Sequence, residues 1–181
     1  MKEKRCIILI DGSNFFYKLK DLNLHNLLQF DFSGFAKMLS KDQKTINSSY
    51  YVGAVRTDGT KKTQQMLGNQ QKLLAHLKNN GFNYVLGYLL KSDGDWHEKG
   101  VDVNIAVDIL VATYENICDR IILVSSDTDL LPAIKKAREK GKIIEYIGFS
   151  HARSYGMINN CSNYHLLKRE DLVPFTTQLK P

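Results

Sequence analysis

Paired histidines, paired cysteines and long apolar runs are all missing from this 181-residue sequence, and each absence excludes a class of protein. The three cysteines, Cys6, Cys118 and Cys161, are odd in number, far apart and free of any Cys-x-x-Cys spacing, which argues against a disulfide framework or a zinc ribbon. Cys6 falls within a hydrophobic strand pattern and reads as a packed thiol. The five histidines form no His-Glu-x-x-His pattern and no close pair, so a zinc hydrolase would lack its ligands. No apolar run approaches the roughly 20 residues of a membrane span, and a few basic residues lead directly into a strand. The expectation is a cytoplasmic protein with no membrane partner. Only three prolines interrupt the chain, and no repeat, low-complexity tract or linker is visible. The sequence therefore reads as one domain over 1–181, with its core over about 5–170 and a short C-terminal tail. A chain of this length buries roughly two-thirds of its unfolded surface without disulfide or metal staples.

What is abundant is positive charge. Twenty-five lysines and arginines against nineteen acids give a formal charge of +6, and the pI is about 9.1. Such a surface favours a polyanionic partner, because lysines and arginines that neutralise phosphates gain affinity through counterion release.

Strand and helix patterns alternate along the chain. Strands are predicted over about 5–11, 48–56, 82–90, 120–125 and 142–148. Helices are predicted over about 13–20, 33–40, 61–79, 100–115 and 129–140, and the remainder adds a short strand and a terminal helix. The stretch 91–98 reads as a polar loop. The helix over 100–115 is apolar almost all round, as for a helix packed under other elements. The alternation implies a three-layer α/β/α, Rossmannoid fold with a mostly parallel central sheet. Sites in such sheets form beyond the carboxyl ends of the strands.

The acids concentrate at those ends. Asp11 ends Cys6-Ile7-Ile8-Leu9-Ile10, and Asp127 and Asp129 follow Ile121-Ile122-Leu123-Val124-Ser125-Ser126. Asp102 opens the apolar helix after Lys99-Gly100-Val101. Carboxylates crowded together repel one another, and a divalent cation such as Mg²⁺ or Mn²⁺ is the natural counter-charge. Phosphodiester cleavage is the chemistry that uses such a centre. Each acid also has a plainer reading. Asp11 can cap a helix or a turn, Asp102 is favoured by the helix dipole, and either Asp127 or Asp129 can cap the following helix, Asp129 being the better placed. Around them, Asn14 can orient Asp11 or cap its own backbone, and Ser125, Ser126 and Thr128 can offer hydroxyls to metal-bound water or phosphate. Asp108 lies about 240° round the helix from Asp102 and so not beneath it. It reads as a supporting acid or a buried hydrogen-bonded residue. Lys99, Arg56, Lys61 and Lys62 are candidate phosphate contacts, with ordinary solvated side chains as the alternative. Trp96, the single tryptophan, can stack on a base or pack in the core.

In this order, Ile8-Leu9-Ile10-Asp11-Gly12-Ser13-Asn14, Lys99-Gly100-Val101-Asp102-Val103 with Ala106-Val107-Asp108, and Leu123-Val124-Ser125-Ser126-Asp127-Thr128-Asp129-Leu130 with Gly141-Lys142 resemble the NYN domain family. They are similar in particular to its LabA-like branch, within the PIN-like nuclease superfamily. The resemblance implies a PIN-like sheet of order 3-2-1-4-5, with Asp11 and Asp127 flanking the switch point. It also implies an Mg²⁺- or Mn²⁺-dependent ribonuclease whose ligands are Asp11, Asp102, Asp127 and Asp129, acting by water attack that leaves a 5′-phosphate. Ser126 and Leu130 depart from the glycine and aromatic common in such proteins, and neither departure removes an acid. RNA is the expected partner, with DNA left open because no element reads a 2′-hydroxyl, and a homodimer would be one way to build an RNA groove. The rival from another class is a catalytically silent RNA-binding or protein-interaction module on the same fold. A haloacid-dehalogenase-type phosphatase would need an aspartate at Ser13, and a topoisomerase-primase-like domain a glutamate at Asp11.

Overall fold

Residues 6–10 are consecutively apolar with no alternation, the pattern of a strand buried on both faces, and they form the centre of the sheet. The computed structural model describes residues 4–41, 43–92 and 95–176, the side chains of 89–98 excepted. In chain order the elements are β1 (Arg5–Asp11), α1 (Gly12–Asp21), α2 (Phe32–Ser40), β2 (Lys44–Gly53), α3 (Lys61–Asn79), β3 (Asn83–Ser92), β4 (Asp95–Lys99), α4 (Val101–Tyr114), β5 (Arg120–Val124), α5 (Leu131–Glu139), β6 (Ile143–Phe149), α6 (Tyr155–Asn160), β7 (Asn163–Leu167) and α7 (Arg169–Leu172). The sheet order is β4-β3-β2-β1-β5-β6-β7. Among the described strands six run parallel, and β4 is antiparallel, paired to β3.

Two cores follow from the period-2 geometry of the central strands. Cys6, Ile8 and Ile10 face a cluster with Phe15, Phe32, Phe35 and Tyr50, under α1, α2 and α3. Ile7 and Leu9 face the other way, into a cluster with Ile105 and Ile109 of α4 and Ile134 of α5. The predicted three-layer α/β/α fold and the β3-β2-β1-β5-β6 order both hold.

Four local expectations change. β3 runs to Ser92 and pairs with β4, so the segment read as a polar loop is largely a hairpin. β2 begins at Lys44, because its first residues are exposed and carry no hydrophobic period. α6 was not expected; at six residues it is too short for a helical period to register. The outer face of α4 is not covered among the described residues, since Val103 is 64% exposed and Val107 and Val111 are exposed too.

At the amino ends of the strands Arg120 and Glu145 are both buried and paired. The Arg120 Nε donates to Glu145 Oε2 at 2.6 Å, and its Nη1 and Nη2 donate to the carbonyls of Ser40 and Leu39 at 3.3 and 3.1 Å. This ties the end of α2 to β5 and β6, at the opposite edge from the acids.

Candidate active site at the carboxyl edge of the sheet

After β1 the chain turns toward α1 and β2, and after β5 it turns toward β6 on the other side, so a crevice opens between the two strand ends. Asp11 and Ser125 follow the paired residues Ile10 and Val124 and share their neighbours' parity, which brings them side by side. Ser125 Oγ donates to Asp11 Oδ2 at 2.9 Å. The other oxygen, Asp11 Oδ1, accepts from the Asn14 backbone N–H at 3.0 Å and caps α1. Asp11 is thus both a helix cap and a buried acid of the crevice, 5% exposed. Gly12 makes the turn feasible: a Cβ there would stand 2.6 Å from the Tyr51 carbonyl oxygen and would collide with the Tyr50 ring.

Asn14 does more than was assigned to it. Its Oδ1 accepts from the Ser126 N–H at 3.3 Å, which joins the first turn of α1 to the loop after β5. In that loop Ser125 Oγ accepts from the Asp127 N–H at 3.2 Å, and Asp127 Oδ1 accepts from the Asp129 N–H at 2.8 Å. Asp127, not Asp129, is therefore the cap, and what it caps is a 3-10 turn over Thr128–Leu130 that precedes α5. Asp127 is half-buried, while Thr128 and Asp129 are exposed.

Asp102 arrives from α4. Gly100 takes a left-handed φ of 86° to start the helix, and Gly87 of β3 lets the Lys99 carbonyl approach, since a Cβ would lie 2.8 Å from it. Burial holds the Asp102 carboxyl above its ordinary value of 3.8, and the charges of Asp127, Asp11 and Asp129 push it the same way. The other three acids are therefore near enough for their charge to reach Asp102. A raised folded value means that the cost of ionising Asp102 is fully present at pH above that value and is relieved as pH falls through it toward 3.8. Asp102→Asn should raise the thermal midpoint in EDTA at pH 7, and the gain should vanish in acid. Thermal unfolding of both proteins across pH measures this; a lower midpoint for the variant at pH 7 would refute it.

The remaining candidates are spread more widely. Asp108, about 9 Å further along α4, accepts from the Tyr51 hydroxyl at 2.5 Å and is held there; burial, then this bond, raises the Tyr51 phenol. Lys99 is exposed at the end of β4, Arg56 is exposed in the loop after β2, and Lys61 and Lys62 are exposed in the first turn of α3. That loop is fixed by Asp58, whose carboxylate accepts from Thr63 Oγ1 at 2.7 Å and the Thr60 N–H at 3.0 Å, holding it down to about 2. Trp96 lies on β4 rather than in a loop, with its side chain outside the described residues.

Sequence reasoning missed Tyr146. Its hydroxyl lies 3.0 Å from Ser126 Oγ and accepts from the Ser154 N–H at 3.3 Å, joining the acid loop to the turn before α6. Gly148, two residues on along the same face, is what leaves room for the ring. A Tyr-x-Gly step near the end of a buried strand is the signal that was available.

Oxygen donors alone suit a hard cation such as Mg²⁺ or Mn²⁺. Among the described residues, no three His, Cys, Asp or Glu side chains stand at a spacing that would hold an ion.

A model of the NYN domain matches residues 5–168. An uncharacterised protein of Methanocaldococcus jannaschii is 30% identical over 146 residues, covering 81% of this chain and 48% of the relative, so the chain spans about half the relative's length. A protein of unknown function from Vibrio parahaemolyticus has the same fold at 22% identity, with a TM-score of 0.66 over 92% of this chain and 96% of that one. The zinc-bound T5 5′-exonuclease aligns at 13% identity with a TM-score of 0.47, over 86% of this chain and 60% of that one.

Proposed function

The chain belongs to the NYN domain family, and from that premise we propose that it is a ribonuclease of the LabA-like branch, dependent on Mg²⁺ or Mn²⁺ and hydrolysing RNA phosphodiester bonds. The observation that carries this reading is the placement of Asp11, Asp102, Asp127 and Asp129, from three separate elements, around one strand-end crevice, near enough for the other three charges to act on Asp102. In this reading the 181 residues act as one PIN-like domain, in the cytoplasm, on RNA, with DNA left open, and a homodimer would widen the groove offered to RNA.

Asp11, Asp102 and Asp127, with Asp129, would hold the cation. When bound, such an ion lowers the pKa of an attacking water and offsets charge on the phosphate and the leaving oxygen. The protein's own part is positional. Ser125 and the Asn14 N–H fix both oxygens of Asp11, so that carboxylate does not have to reorganise during the reaction. The Asn14 side chain holds the β5 loop against α1, which sets Asp127 relative to Asp11. Lys99, Arg56, Lys61 and Lys62 would hold phosphates along the strand, while Ser126 and Thr128 shape the loop that carries the acids. Water attack would leave a 5′-phosphate and a 3′-hydroxyl.

The absence of three ligands at ion-holding spacing among the described residues favours one other reading, a silent RNA-binding module. Labelled single-stranded and hairpin RNA, with DNA controls, incubated in Mg²⁺, Mn²⁺ or EDTA, separates the two. RNA cleavage in metal and none in EDTA is expected. Tight binding with no cleavage in either metal would favour the silent module, and undiminished cleavage in EDTA would overturn the metal-dependent mechanism.

A further inference from the structure

Two exposed tyrosines bracket the acids, and neither belongs to any motif read from the sequence. Tyr88, in the middle of β3 where its pairing passes from β2 to β4, is 54% exposed, and its ring lies over Gly100, two residues before Asp102; a Cβ on that glycine would come within 2.7 Å of the ring. Tyr155, at the start of α6, is 67% exposed. The next residue, Gly156, packs against Thr128 of the acid loop so closely that a Cβ would stand 2.8 Å from the threonine methyl. The turn bearing Tyr155 is also tied to that loop through the buried Tyr146 hydroxyl, which meets both Ser126 and Ser154. Each tyrosine has a cation close to it, one across a strand pair and one along the chain. Lys99 is the strand partner of Tyr88, and exposed Arg153 lies two residues before Tyr155.

Of the other surface tyrosines, Tyr164 is equally exposed at 54% but stands at the amino end of β7, away from the strand ends that carry the acids. Tyr84 and Tyr114 have their ring faces taken by Lys78 and Lys140 at 5.1 and 5.5 Å, and Tyr17 meets Phe16 edge-on. Among the described residues, neither Tyr88 nor Tyr155 has a ring or cation on its face. A large, rigid aromatic left open to water beside a cation, on both flanks of a phosphate-directed crevice, has the composition of a single-strand platform: bases stack on the rings while the cations take the phosphates.

We propose that Tyr155 and Tyr88 are base-stacking residues that lay an unpaired strand across the acids, with Arg153 and Lys99 holding the adjoining phosphates. The proposal rests on the nuclease reading above. It requires bases free of a duplex, since a paired base offers no open face to a protein ring.

The test uses the full chain, a fluorescein-labelled eight-nucleotide RNA and the same RNA in a blunt duplex. Anisotropy in EDTA gives affinity, and initial rates in whichever of Mg²⁺ or Mn²⁺ supports turnover give kcat and KM. Tyr155→Ala and Tyr88→Ala should each weaken single-strand binding by about 5- to 150-fold and raise KM to match, with kcat little changed. Tyr155→Phe keeps the ring and should bind like the wild type. Arg153→Ala should lower the slope of log affinity on log salt by about 0.7. Thermal melts confirm that these surface variants fold. Unchanged affinity in both alanine variants, a phenylalanine variant as weak as alanine, an unchanged salt slope, or equal preference for the duplex would each overturn the proposal while leaving the nuclease reading standing. A wild type that neither binds nor cleaves any of these RNAs would overturn both.

Discussion

Asp11→Asn is expected to lower kcat/KM for metal-dependent RNA cleavage by about 10³-fold or more, with the fold intact. The substitution changes almost nothing but charge. Asparagine keeps an acceptor for the Asn14 N–H at the start of α1, and its amide can face the Ser125 hydroxyl, which is free to turn and accept instead of donate. The helix cap therefore survives, and Gly12 keeps its close approach to β2. What is lost is one negative charge, from a carboxylate whose orientation is already fixed by two hydrogen bonds and whose charge reaches Asp102. A contribution of about 4 kcal/mol to transition-state charge stabilisation corresponds to that loss of rate, since each 1.36 kcal/mol is tenfold. Turnover of labelled RNA, with a thermal melt of each protein, checks it. A melt unchanged with activity gone places Asp11 in the chemistry; activity retained within tenfold would remove it from the proposed ligand set.

How much of this was legible in the sequence depended on whether burial left a period to read. β1 and β5 showed clearly because their consecutive apolar residues are covered on both faces, so the acids just beyond them were placed correctly at the sheet's edge. The β3–β4 pairing was hidden because Lys91, Ser92, Asp95, His97 and Glu98 are residues typical of a loop, so the end of β3 past Leu90 and the short β4 show no hydrophobic period. Asp127 and Asp129 are two residues apart ahead of a helix, and only the intervening 3-10 turn decides that Asp127 caps it. The helical geometry that set Asp108 apart from Asp102 was readable, whereas its partner Tyr51, 57 residues away, was not. Contacts such as Tyr146 with Ser126 and Ser154, or Asn14 with Ser126, depend on where a side chain ends rather than on what its neighbours are. Nothing periodic marks them.

The second large effect belongs to stability and lies at the far edge of the sheet. Arg120→Ala should destabilise the protein by about 3–5 kcal/mol, because it leaves Glu145 as a buried charge without its main partner. Arg120 and Glu145 side chains are 7% and 6% exposed, and three guanidinium nitrogens are engaged at once, with Glu145, Ser40 and Leu39. Lys41 lies 3.6 Å from the other Glu145 oxygen, but its side chain is 65% exposed, and an ammonium in water is a weak substitute for a guanidinium in the core. The carbonyls at the end of α2 also lose their donors, so part of the penalty is a frayed helix end. Replacing both members by apolar residues of similar size, Arg120→Met with Glu145→Leu, removes the orphaned charge and should cost less than either single change. Urea unfolding of the two single variants and the double variant measures the coupling. A double variant as unstable as the sum of the singles would mean that the pair is not coupled and that Arg120 acts through its carbonyl contacts alone. Because this pair sits at the amino ends of the strands and the acids at their carboxyl ends, mild destabilisation here should leave metal-dependent cleavage unchanged at temperatures where the variant stays folded. That separates loss of fold from loss of chemistry when the Asp11 variant is read.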